Sequence, residues 1–148
     1  MRTMLVGLAV CLACGAGVRA DADAAKKDAA ALEGEWSMVS GERDGAAIPD
    51  DVLKTAKRVT KAGETTVSFG DQVVMKAKFT IDPAKTPKAI DYEFTEGQNK
   101  GKKVPGIYKI DGDTVTFCFS APEKERPTKF EAGAGSGLTL STWKKSKK

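Results

Sequence analysis

Histidine is absent from this 148-residue chain. With it go the commonest general base near neutral pH, the Ser–His and Cys–His nucleophile pairs, and the usual zinc and non-haem iron ligand sets. Neither a metal nor a cofactor is expected. Cysteine is scarce: Cys11 and Cys14 stand near the N-terminus, and Cys118 stands alone in the rest of the chain. A disulfide framework within the body of the domain is therefore excluded if those first two are removed. An excess of one charge is also missing, because 24 basic residues are interspersed with 20 acidic ones. That is the pattern of an ordinary solvated surface rather than a basic stripe, and no nucleic-acid partner is expected. The one long apolar stretch, Met4 to Val18, is too short to span a bilayer comfortably.

What that stretch does fit is an export leader. Met1-Arg2-Thr3 forms a short positive region, the apolar segment follows, and Val18-Arg19-Ala20 supplies a cleavage context before Asp21. Residues 1–20 are thus read as a signal peptide, and the product as periplasmic or extracellular. Cys11-Leu12-Ala13-Cys14 leaves a second route open, in which cleavage precedes Cys14 and a lipid on its thiol anchors the domain to a membrane. Residues 21–31, acidic and Ala-rich, read as a flexible spacer. Residues 32–144 form the domain, and 145–148 a basic tail.

Within 32–144 apolar residues alternate with polar ones between closely spaced turn signals. Strands are expected over Glu35–Glu42, Arg58–Lys61, Thr65–Phe69, Val73–Ile81, Ala89–Thr95, Val104–Ile110, Thr114–Ser120, Thr128–Glu131 and Leu138–Trp143, with one helical turn at Pro49–Leu53. In the fourth strand Val73, Met75, Ala77, Phe79 and Ile81 form one buried face. Asp111-Gly112 marks a hairpin. All six Phe, two Tyr and two Trp fall on these strands. The meander predicts an all-β protein, either a sandwich or a closed up-and-down barrel. A domain of this size buries roughly two-thirds of its unfolded surface, enough for a core without covalent staples.

Candidate chemistry is sparse. Asp91 and Glu93 share one strand face, and a solvated outer face accounts for them better than a two-carboxylate mechanism. Gly133-Ala134-Gly135-Ser136-Gly137 lacks the Lys-Ser/Thr pair and the following helix of a phosphate loop, so it reads as a turn. The runs Lys100 to Lys103 and Lys144 to Lys148 read as a solvated turn and a soluble terminus. Cys118, between Phe117 and Phe119, reads as an inert packed thiol. An enzyme is not expected.

Gly34-Glu35-Trp36 opens the first strand. Gly-x-Trp there resembles the opening motif of lipocalins, which implies an antiparallel up-and-down barrel of about eight to nine strands with Gly34 and Trp36 as structural residues at its closed end. The resemblance extends over Leu32–Trp36, Glu42–Gly45, Pro87–Asp91, Gly106–Tyr108, Gly112–Phe119 and Glu125–Phe130 to a family of exported planctomycete lipocalin-like proteins of unknown function. It implies a fold and no activity. The later lipocalin motif around Thr-Asp-Tyr is not present.

The resulting expectation is a monomeric binding module for a small apolar or amphipathic ligand, lined by Met75, Phe79, Tyr92, Phe94, Phe117 and Phe119. Burial would supply the binding energy, and one or two polar groups the orientation. The alternative is a structural or protein-interaction domain of the cell envelope, its barrel filled by its own side chains.

Overall fold

The computed structural model describes residues 16–146. Residues 1–15, which hold most of the expected leader with Cys11 and Cys14, and residues 147–148 of the tail lie outside the described residues.

Two-residue turns organise the sheet. Helix α1 (Ala16–Leu32) leads into β1 (Gly34–Arg43), which folds back through Asp44-Gly45 onto the short β2 (Ala46–Ala47). One helical turn, α2 (Asp50–Leu53), precedes β3 (Ala56–Lys61) and β4 (Glu64–Phe69), joined at Ala62-Gly63. Both turn residues have positive φ, +52° and +79°, as the favoured hairpin turn requires to match the right-handed strand twist. Strand β5 (Gln72–Asp82) follows Gly70-Asp71. Then come β6 (Lys88–Phe94), β7 (Lys103–Asp111), β8 (Thr114–Phe119) and β9 (Thr139–Lys145).

Strand β3 pairs antiparallel with β1, each strand from β4 to β9 pairs antiparallel with its predecessor, and β9 pairs with β1. The result is a closed up-and-down barrel of eight strands, with β2 as an extra flap on the end of β1. Closure leaves no free edge around the wall. A bulge at Val39, between Met38 and Ser40, bends β1 between its pairing with β3 and its pairing with β9.

Antiparallel order gives the barrel two distinct ends. The floor gathers the start of β1, the end of β9 and the β3–β4, β5–β6 and β7–β8 connections; the opposite rim gathers Phe69, Met75, Phe94 and Phe119. Trp36, Ile90, Tyr108, Val115 and Trp143 are buried toward the floor. With Tyr92, Phe117, Val67 and Ala77 they make one core.

Four expectations are corrected here. The stretch 21–31 is not a flexible spacer but part of α1, because alanine is the strongest helix former and Asp28 and Leu32, four residues apart, share one buried face. The Leu32 carbonyl accepts from Trp36 Nε1 at 2.9 Å, and Asp28 accepts from Tyr108 Oη at 2.7 Å and from Lys88 Nζ at 2.9 Å. Lys145 is wall rather than tail: it pairs with Trp36, lays its ammonium over the indole at 5.1 Å and donates to the Ala31 carbonyl at 3.3 Å. Thr128–Glu131 forms no strand. It lies in a Pro-interrupted segment, 120–138, that crosses the outside of the wall. Val73 is 56% exposed, because the pairing of β4 with β5 shifts between Val67 and Ser68 and takes it off the buried face.

Candidate functional site

The barrel interior is where the predicted lining residues fall, because alternation along each strand turns them to the same side. Tyr92 and Phe117 are buried in the core, and Met75, Phe79, Phe94 and Phe119 are partly buried against it. Four of the six form a connected aromatic group. Tyr92 and Phe119 have ring centroids 4.3 Å apart, Phe117 and Phe119 5.7 Å, Tyr92 and Phe117 6.4 Å, and Phe79 meets Tyr92 edge-on at 6.5 Å. These are the separations at which aromatic pairs attract beyond their burial. Met75 and Phe94 pack against the same core nearer the rim.

Gly106 belongs to this arrangement. It faces inward on β7 opposite Phe119, and a Cβ there would run into the Phe119 ring and come within 2.9 Å of the Cys118 carbonyl oxygen. The missing side chain is what lets Phe119 lie across the lumen toward Tyr92. The interior near the rim is thus occupied by the protein's own rings. Three concavities, about 110, 340 and 420 Å³, lie along the outer strand faces and connecting loops.

Arg58 is the interior residue that sequence reasoning missed. It stands on β3 with 4% exposure, while its neighbour Val59 points outward at 45%. An apolar residue directly after two basic ones suggests the reverse assignment. The signal that could have found it is turn geometry. With Ala62-Gly63 as a two-residue hairpin, Thr60 must face Thr65 and Arg58 must face Val67, and Val67 belongs to the apolar face. The Arg58 guanidinium lies between rings, 4.4 Å from the centroid of Phe117, 4.6 Å from Trp143 and 5.9 Å from Tyr92. Nη1 donates to Tyr92 Oη and, at 3.4 Å, to Thr65 Oγ1. Thr65 Oγ1 is tied in turn to Thr60 Oγ1 at 3.0 Å. Burial pushes the Tyr92 phenol above its ordinary pKa, with the Arg58 charge pulling the other way.

The outer wall carries a second, smaller packed layer. Ala89, Ile107 and Cys118 face outward on β6, β7 and β8, yet are at most 3% exposed, because segment 120–138 lies over them and buries Ala132 as well. Arg126 fastens this strap. It donates from Nη1 to the Ile90 and Gly106 carbonyls at 3.0 and 2.8 Å, and from Nη2 to Asp91 at 2.7 Å. Asp91 therefore anchors a loop, and its strand neighbour Glu93 is exposed. Cys118 Sγ lies 3.4 Å from the Glu131 carbonyl, and burial raises its thiol pKa. A buried thiol held protonated is a poor nucleophile.

Gly34 and Trp36 are both at the floor. Trp36 is 1% exposed, and Gly34, at φ +119°, lies so close to the Lys145 side chain that a Cβ would come within 3.2 Å of Cε. Fold and interior together define a small, closed up-and-down β-barrel with a helix-plugged floor and an aromatic interior built around a buried arginine. Comparison with protein-family models, with curated proteins and with solved structures finds no match for the chain.

Proposed function

We propose that this chain is an exported, lipocalin-like binding module, monomeric and non-catalytic, that takes a small amphipathic molecule through the rim of its barrel. The observation that carries the reading is the contrast between the two ends. Leu32, Trp36 and Tyr108 seal the floor, whereas the rim presents the large, half-buried apolar side chains of Phe69, Met75, Phe94 and Phe119. Apolar surface left partly in water at the mouth of a barrel favours an apolar occupant, since each Å² removed from water contributes about 25 cal/mol. The absence of histidine and the buried state of Cys118 support a non-catalytic role. Export, and the choice between a freely diffusing domain and one held by lipid at Cys14, follow from the leader pattern.

A second reading rests on the packed rings around Tyr92: a permanently filled barrel serving as a structural or protein-interaction domain of the envelope. The two are separated by purifying the domain from residue 21 onward, extracting it with organic solvent, weighing what is released, and titrating the protein with an environment-sensitive apolar dye. Saturable dye binding or a co-purified small molecule is the expected result. No released molecule and no saturable dye signal would leave the filled-barrel reading standing.

A further inference from the structure

Arg58 is the one basic side chain buried among the described residues, and nothing neutralises it there. It forms no ion pair with any of them. Asp28, the one buried acid, is committed at the floor to Lys88 and Tyr108. An arginine keeps its charge at every accessible pH, so burial cannot be relieved by losing a proton. The ring faces of Phe117, Trp143 and Tyr92 compensate part of the charge, but they act on the flat faces of the guanidinium and leave its in-plane donors unmet.

Those donors are used on one side only. Both hydrogen bonds of Arg58 leave from Nη1; Nε is buried without an acceptor, and Nη2 makes no hydrogen bond with the described residues. The Nε–Nη2 edge carries two parallel N–H groups, which match the two oxygens of a planar carboxylate. A single buried cation suits a single negative charge. Three aromatic rings, those of Phe117, Trp143 and Tyr92, surround the guanidinium, so whatever carries the charge must be apolar elsewhere.

We infer that the barrel takes an amphipathic monocarboxylate, with its head group bidentate on Arg58 Nε and Nη2, beside Tyr92, and its apolar tail directed to the rim. The inference rests on the binding-module reading above. Phe119 is the side chain that must yield. It packs on Tyr92 between that ring and the rim, it is the last residue of β8, and its cross-strand partner Gly106 has no side chain to hold it in place.

The test uses the wild-type domain, with dodecanoate and dodecan-1-ol compared by isothermal titration at pH 7.5 and equal ionic strength. Tail length is held constant and only the head group changes. The carboxylate is expected to bind tenfold or more tighter than the alcohol. The preference is expected to vanish in Arg58→Met, which retains the stem and the apolar contacts, while alcohol affinity stays within about threefold. Carboxyl-labelled dodecanoate followed by carbon NMR gives a second readout that needs no variant: the bound carboxyl should titrate at least one pH unit below the free acid. Equal affinity for acid and alcohol, with an unshifted carboxyl titration, would overturn the arginine anchor and leave the binding module intact. No binding of either compound, to the wild-type domain or to Phe119→Ala with its path opened, would overturn the module itself and the anchor with it.

Discussion

Ala62 occupies the left-handed region at φ +52°, the first of two such residues in the β3–β4 turn. A side chain with a Cβ pays a steric penalty there of roughly 1–2 kcal/mol, and glycine does not. Ala62→Gly should therefore raise stability by about 1 kcal/mol after the extra chain entropy of glycine is subtracted, read as a higher midpoint in urea unfolding. At the same scale, the two buried tyrosines set the alkaline limit of the fold. Burial raises the Tyr92 phenol, and burial with the hydrogen bond to Asp28 raises that of Tyr108. A folded-state pKa above the unfolded one means that stability is complete below the unfolded value, near 10, and falls as pH rises through that value, because only the unfolded chain then releases the protons. Urea midpoints should begin to fall near pH 9, where the raised pKa of the buried Cys118 thiol makes the same kind of contribution, and decline more steeply above 10. Tyr108→Phe should make the decline shallower while costing about 1.5–3 kcal/mol at neutral pH through the lost bond to a carboxylate.

Among the elements, the strap over the outer wall has the least regular structure and the most specific fastening. Arg126 alone bonds two carbonyls and one carboxylate across β6 and β7. Arg126→Ala should loosen residues 120–138 without opening the barrel. Cys118 should then react with a thiol reagent such as Ellman's at least tenfold faster than in the parent, where it is buried and its thiol pKa is raised. Unchanged reactivity would show that the strap does not protect the thiol. The elements also differ in how far the sequence announces them. Hairpin strands did so clearly, since alternation and Gly-containing turns are local signals; the bounds of β4, β6 and β8 match expectation to within one residue. The strap and α1 did not. Pro122 and Pro127 deny Thr128–Glu131 the pairing that its composition suggests, and an Ala-rich helix needs a partner surface before its role is visible. Arg58 was hidden for a related reason. Polarity points it outward, and only the pairing register set by the two-residue turn at Ala62-Gly63 puts it inside.

For the whole molecule, both tryptophans stand at the floor, on the two strands that close the barrel. Their fluorescence reports closure directly, and it should change together with far-ultraviolet circular dichroism in one cooperative transition. The pairing of first and last strands has a further consequence for how the protein comes into being. A polypeptide delivered from its N-terminus holds β1 with one flank unfilled until β9 arrives, so an incomplete chain has a wall but no enclosure, and its apolar face stays in water. Long-range closure of this kind is also slow. A chain stopped after Leu138 should stay protease-sensitive and lack a cooperative urea transition, whereas one extending to Ser146 should resist digestion. Folding is thereby deferred until β9 has been made, and the partner that β1 waits for lies about a hundred residues further along the same chain.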